Sequence, residues 1–158
     1  MKEQLYAKFK EGFEMISIKP VNSGHLSSLG QLYDELMGTM TNSDKLMQTY
    51  QSIANNENYV ILGAFNQDEL VGSLMGIICQ DLVGDCRPFM VVENVIVSNR
   101  ARRQGVGTKL MQEIEWIARA RDCSYMIFVS GEQRKEAHIF YEKLGFKEEN
   151  VEGYRKHF

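Results

Sequence analysis

Arg102, Gly105 and Gly107 form an RxxGxG pattern inside Val95 to Met111, VIVSNRARRQGVGTKLM, where an apolar run passes through a glycine loop into a helical pattern. Such a loop is suited to phosphate. Glycine has no Cβ, so the backbone N–H groups of Gln104 to Thr108 can close on an anion. The unpaired N–H groups and the positive dipole end of the first helical turn point the same way. Arg100, Arg102 and Arg103 add positive charge. The alternative is a tight strand-to-helix turn with no ligand. Other phosphate loops fit badly: a dinucleotide fingerprint would need its third glycine at Leu110, and the P-loop pattern is absent.

Two further residues have types suited to proton transfer. Glu93 interrupts the apolar run FMVVENVIV, Phe89 to Val97, and an uncompensated carboxylate buried there would cost several kcal/mol in effective terms. It therefore faces a cleft or is tied to a buried donor. The two-residue period of a strand puts Glu93, Val95 and Val97 on one side. Tyr141 repeats with Ala137, Phe140 and Leu144 on one helical face, so its spacing alone fits a core tyrosine.

The loop following an apolar strand resembles the acyl-CoA signature of the GNAT superfamily of N-acetyltransferases. A second segment agrees with it: Ala137 to Phe146, AHIFYEKLGF, is similar to the superfamily's hallmark of a helix ending in FYEKLGF before a final strand. The two motifs stand in the family order, and the resemblance extends from about Met15 to the C-terminus. It implies an α/β fold whose sheet is mixed and mostly antiparallel, with a splayed central parallel pair and helices on both faces. It also implies acetyl transfer from acetyl-CoA to a primary amine by direct attack, with Glu93 as general base, directly or through water, and Tyr141 as general acid at the departing sulfur. Main-chain groups of Val95, Ile96 and Val97 would line the pantetheine arm, and Arg102, Arg103, Gln104, Gly105, Val106, Gly107 and Thr108 would hold the pyrophosphate. Many members carry Asn three residues before the helix alanine. Here that position is Arg134, similar to a recurrent variant, which is assigned to the coenzyme site with its contact left open. His138, beside it, is either a titrating group or a helix-surface residue.

The elements that must position these groups follow from periodicity. Leu5, Phe9 and Phe13 suggest a helical extension over residues 1–12, and a strand follows from Phe13 to Val21. Helices are expected from Asn22 to Met37 and from an N-cap at Ser43 through Ile53. In the family this region shapes the acceptor. Strands at Tyr59 to Phe65 and Leu70 to Cys79 are joined by the turn Asn66 to Glu69. After Phe89 to Val97 come a helix from Gly105 to Arg121, a strand at Tyr125 to Val129, a helix from Glu132 to Leu144 with Gly145 as its cap, and a closing strand from Phe146. Strand and helix alternation of this kind predicts parallel pairing in the middle of the sheet. Trp116 falls among polar positions of its helix, as a surface residue or a subunit contact.

Composition bounds the remainder. The 158 residues, 44% hydrophobic and 25% charged, suit one domain with a single core. No apolar run is long enough to span a membrane and the charged N-terminus is unlike a signal peptide, so a cytoplasmic protein is expected. Cys79, Cys86 and Cys123 lack metal or disulfide spacing, so reduced thiols and no metal are expected. Net charge is −5 over residues 1–90 and +2 over residues 91–158, so the positive excess accompanies the glycine loop. The acidic half suits a cationic amine or simply a solvated surface, and the overall −3 disfavours nucleic acid. The expected partner is a small-molecule amine, with a homodimer expected by analogy. The alternatives are an acyl-CoA sensor without turnover and an acetyltransferase of protein N-termini or lysines.

Overall fold

A computed structural model describes residues 16–147 and 151–158, and the described chain divides into two compact units, one ending at Ile127 and one running from Phe128 to Phe158. The first unit is built on a five-stranded sheet in the order β1-β2-β3-β4-β5. Its strands are β1 (Ile16–Pro20), β2 (Tyr59–Asn66), β3 (Glu69–Cys79), β4 (Phe89–Val97) and β5 (Met126–Ile127). Neighbours are antiparallel except β4 and β5, which run parallel. That parallel ladder ends at Val91 and Ile127, while β4 continues to Val97.

Helices cover both faces of this sheet. Helix α1 (Leu26–Met37) buries Leu26, Leu29 and Leu32 against Val21, Phe65, Leu70 and Ile96, and α2 (Ser43–Ile53) adds Leu46 and Tyr50. The opposite face receives α3 (Val106–Ala120), whose Val106, Leu110, Met111, Ile114 and Ala118 are buried. Gly76 marks that second face: a Cβ on it would lie 2.7 Å from Ile114 Cδ1 and 3.1 Å from Met90 Sδ. A side chain there would push the Ile114 and Met90 side chains aside. On the far side of α3, Trp116 is 66% exposed.

Several boundaries differ from the sequence expectation. Asn22 caps a short 3-10 turn, Ser23–His25, accepting a hydrogen bond from the Gly24 N–H at 2.9 Å, and α1 begins only at Leu26. The cap of α2 is Asn42 instead of Ser43, its Oδ1 accepting from the Lys45 N–H at 2.9 Å. Asn and Ser are equally good N-caps, so adjacent candidates cannot be separated by type alone. Strand β5 is two residues long, not five, and residues 151–158 contain no strand where a closing strand was expected. The expected N-terminal helix and the first residues of the expected β1 lie outside the described residues.

The second unit contains α4 (Lys135–Lys143), shorter at its start than the expected helix from Glu132. Gly145, at φ 90°, ends it just beyond the last turn, and the Phe146 N–H reaches back to the Tyr141 carbonyl at 3.2 Å. Such a left-handed residue after a helix is the position glycine fills without steric penalty. Cys79, Cys86 and Cys123 are free thiols. Among the described residues no helix is long and apolar enough to cross a membrane, and no cluster of three or more His, Cys, Asp or Glu is placed to hold a metal ion.

Candidate active site

Glu93 lies on β4 opposite Met75 of β3, and it is exposed, so no burial penalty falls on its carboxylate. The next residue changes the strand. Asn94 has φ 55°, in the left-handed region, and the β3–β4 register shifts there: Met75 pairs with Glu93, but Ser73 pairs with Ile96. One extra β4 residue is therefore accommodated, which is a β-bulge. Its consequence is visible in packing. Met90 faces α3 whereas Ile96, of the same parity, packs in the α1 cluster. Glu93 and Ile96 thus share the α1 face, while Val97 pairs with Gly72, whose own Cβ would point at Val106 and Leu110 of α3. The expectation that Glu93, Val95 and Val97 point to one side is corrected: an inserted residue inverts the alternation beyond it.

Two polar residues near this bulge escaped the sequence argument. Burial pushes the Tyr33 phenol, on α1, above the ordinary tyrosine value and the Ser73 and Asn94 side chains pull it partly back, while Ser73 Oγ donates to the Leu62 carbonyl at 2.8 Å. Asn94 was legible as a second polar residue in an apolar strand, and Asn is enriched in left-handed conformations. Tyr33 shares its helical face with Leu26, Leu29, Leu32 and Leu36, so its spacing marks it only as a core residue.

Beyond β4 the glycine loop is tied down from several directions. The Ser98 N–H donates to the Val71 carbonyl at 2.9 Å, the Asn99 N–H to Glu35 Oε1 at 2.6 Å, and Arg102 Nε to the Val97 carbonyl at 3.2 Å. Arg100 pairs with Glu69 at 2.8 Å, so part of its charge is already compensated. Arg102, Arg103, Gln104 and Gly105 are exposed, Gly107 and Thr108 are half-buried, and Val106 is buried against the sheet. Gly105 sits at φ 75° as the residue before α3 and provides no side-chain cap. The first-turn N–H groups therefore meet no capping side chain, and the helix dipole places roughly half a positive charge there. A diphosphate would be held by those amides with Arg102 and Arg103 beside them.

The second unit carries Tyr141, Arg134 and His138. Tyr141 is half-buried in an aromatic group, its ring 4.3 Å from Phe128, 5.1 Å from Phe140 and 6.2 Å from Phe146 between centroids. Burial pushes its phenol above the ordinary tyrosine value and the Arg134 charge pulls it partly back. The proton is therefore held firmly at neutral pH. Arg134 is exposed at the start of α4. His138 is half-buried rather than a free surface group, with Nε2 3.0 Å from the Gly131 carbonyl. A carbonyl only accepts, so Nε2 carries the proton and the ring closes the turn before α4.

Comparison with known proteins agrees with this architecture. The model of the Acetyltransferase (GNAT) family matches residues 29–146. A structure described as a transcriptional regulator from Bacillus halodurans C-125 is 27% identical, with a TM-score of 0.83 over 90% of this chain and 99% of that one. Glucosamine-6-phosphate N-acetyltransferase from Arabidopsis thaliana shares 18% identity, with a TM-score of 0.71 over 89% of this chain and 97% of that one. An aminoglycoside N-acetyltransferase in complex with CoA shares 22%, with a TM-score of 0.75 over 89% of this chain and 94% of that one. No curated protein sequence matches the chain. With strand, bulge and uncapped glycine-led helix in place and three quarters of its length matched by the family model, the chain belongs to the GNAT family of acetyltransferases.

Proposed function

We propose that this chain transfers the acetyl group of acetyl-CoA to the primary amine of a small molecule by direct attack. The observation that carries this is the succession, within one unit, of an exposed carboxylate at Glu93, a bulge at Asn94 and a helix opened by Gly105 without a capping side chain. The amides of residues 104–108, with Arg102 and Arg103, hold the pyrophosphate, and main-chain groups of Val95, Ile96 and Val97 accompany the pantetheine arm. When bound, acetyl-CoA supplies an activated thioester. The amine nitrogen attacks its carbonyl carbon, a C–N bond forms, the C–S bond breaks, and Glu93 takes the amine proton, directly or through water, and releases it to solvent. Tyr141 delivers a proton to the departing thiolate and regains one from solvent. Arg134 sets the electrostatics at Tyr141 and contributes to the coenzyme site.

A small amine acceptor is supported by the names of two structural neighbours, enzymes of glucosamine-6-phosphate and of aminoglycosides. A cytoplasmic location, from the sequence expectation, and a homodimer, by family analogy, belong to this proposal. A second reading, a coenzyme-binding protein without turnover, draws on the regulator name of the Bacillus halodurans structure. Calorimetry with acetyl-CoA and a thiol-release assay over a panel of small amines and peptides distinguish them. Acetyl-CoA uptake with release driven by small amines is expected; uptake without amine-dependent release supports the second reading, and no uptake by folded protein removes both.

A further inference from the structure

The sheet face that carries Glu93 changes character along its strands. Toward one end it is sealed: Phe65, Leu70, Ser73 and Ile96 are buried, and all but Ser73 belong to the core cluster with α1. Toward the other end the same face is only half covered. Gly76 and Met90 point to α3 and are buried, as are Ile78 and Val92 of the same parity. Met75, Ile77 and Val91, which alternate with them on the Glu93 side, are half-buried.

Strand register sets these side chains in rows. One row crosses four strands, from Tyr59 to Ile77 to Val91 to Ile127, and the next holds Ile61, Met75 and Glu93. Apart from the Tyr59 hydroxyl and the Glu93 carboxylate, both rows are hydrocarbon or thioether. Ile127 is 44% exposed, so the longer row reaches solvent at its β5 end. Neighbouring strands lie about 4.8 Å apart, which makes that row roughly 14 Å wide, and Val91 stands about 7 Å from Glu93 along β4.

A carboxylate beside a half-covered apolar row is a surface with two complementary parts. The negative charge attracts an ammonium group, and the row gains by releasing water to a hydrocarbon body. A polyhydroxylated body laid on the same side chains would give up hydrogen bonds to water and recover none. Reach agrees with this division, since about 7 Å is the length of a five- or six-carbon chain or of a phenyl ring on a two-carbon stem.

We propose that the acceptor is an alkylamine or arylalkylamine, its nitrogen at Glu93 and its hydrocarbon body on Ile77, Val91 and Ile127. The inference rests on the acetyltransferase reading above and narrows its acceptor from small amines in general to amines with an apolar body.

Thiol-release kinetics with propylamine through hexylamine, phenethylamine and glucosamine test it, beside calorimetry of acetyl-CoA uptake. A fully buried methylene is worth about fourfold, so kcat/KM is expected to rise roughly threefold per methylene along the series. Phenethylamine should exceed glucosamine by about tenfold or more on the same basis. Val91→Thr replaces a methyl by a hydroxyl at nearly constant shape, and it should lower kcat/KM for hexylamine about fivefold more than for propylamine. A general loss of structure would not produce that split. A flat series, glucosamine ahead of the hydrocarbon amines, or equal losses of both alkylamines in folded Val91→Thr would overturn the assignment. If Val91→Thr does not fold, the parent series decides alone. A flat series together with a dimer that Ile127→Glu separates would give the row to a second copy of the chain, which also overturns it. Acetyl-CoA uptake without thiol release from any amine would instead remove the acetyltransferase reading, and this inference with it.

Discussion

The glycine loop and the start of α4 are both short connections leading into a helix, yet they are held in opposite ways. The loop is secured over long sequence distances: Glu35 binds the Asn99 N–H, Glu69 binds Arg100, and Val71 accepts from Ser98. Around α4 the described bonds are local, with His138 reaching Gly131 and Lys147 reaching Glu142. The difference teaches where rigidity comes from. The amides proposed to grip a diphosphate are anchored to β3 and α1, whereas the candidate acid is placed by a helix and an aromatic group made from its own neighbours in sequence.

Substitutions in the two regions should break that contrast to different depths. The deepest effect is expected from Glu93→Gln, which keeps the shape of the side chain but removes the proposed base. Turnover should fall by roughly 10² to 10⁴, the usual worth of a positioned general base, while calorimetric acetyl-CoA affinity stays within twofold. Gly105→Val comes next. A β-branched residue is strained at φ 75° and would crowd the first-turn amides, so acetyl-CoA affinity should drop on the order of 100-fold in a protein that still folds. Unchanged affinity would show that the loop is only a turn.

In the second region Tyr141→Phe should lower kcat roughly 10- to 100-fold and leave coenzyme affinity nearly unaltered. The pH profile sharpens the point. A proton donor works only while protonated, so activity should decline as pH rises through its pKa, and burial places that decline above the ordinary value of 10.0. The alkaline limb should vanish in Tyr141→Phe, and its persistence would assign it to another group. The smallest effect is expected from His138→Ala, which removes one local hydrogen bond worth ~1 kcal/mol. A melting temperature lowered by roughly 2–4 °C with kcat preserved is the expected result; a collapse of activity would mean that the local frame of α4 controls the chemistry after all.

Much of this arrangement was legible in the order of residues. The limits of β4, Phe89–Val97, follow from an apolar run closed by Pro88 and by the polar loop, and the buried stripe of α3 follows from its 3.6-residue period. Strand β5 was read as five residues and forms two, because apolar content marks a segment as strand-like without saying how many of its residues find a partner. His138 shows the same limit at one residue: its spacing on α4 said surface or active group, and a carbonyl seven residues earlier decided for a structural bond. Tyr33 packs on the inner face of α1, as its helical spacing with Leu29 and Leu36 predicts, but which polar residues of β3 and β4 come near it depends on strand register.

The residue types by themselves determined the family, the glycine-led helix and the candidates Glu93 and Tyr141, since these rest on local spacing and on what a missing Cβ, a carboxylate or a phenol can do. Only the folded chain decided that Asn94 takes the left-handed conformation and inverts the facing of everything after it. Pairing between strands far apart in sequence supplies that information, and local propensity does not contain it.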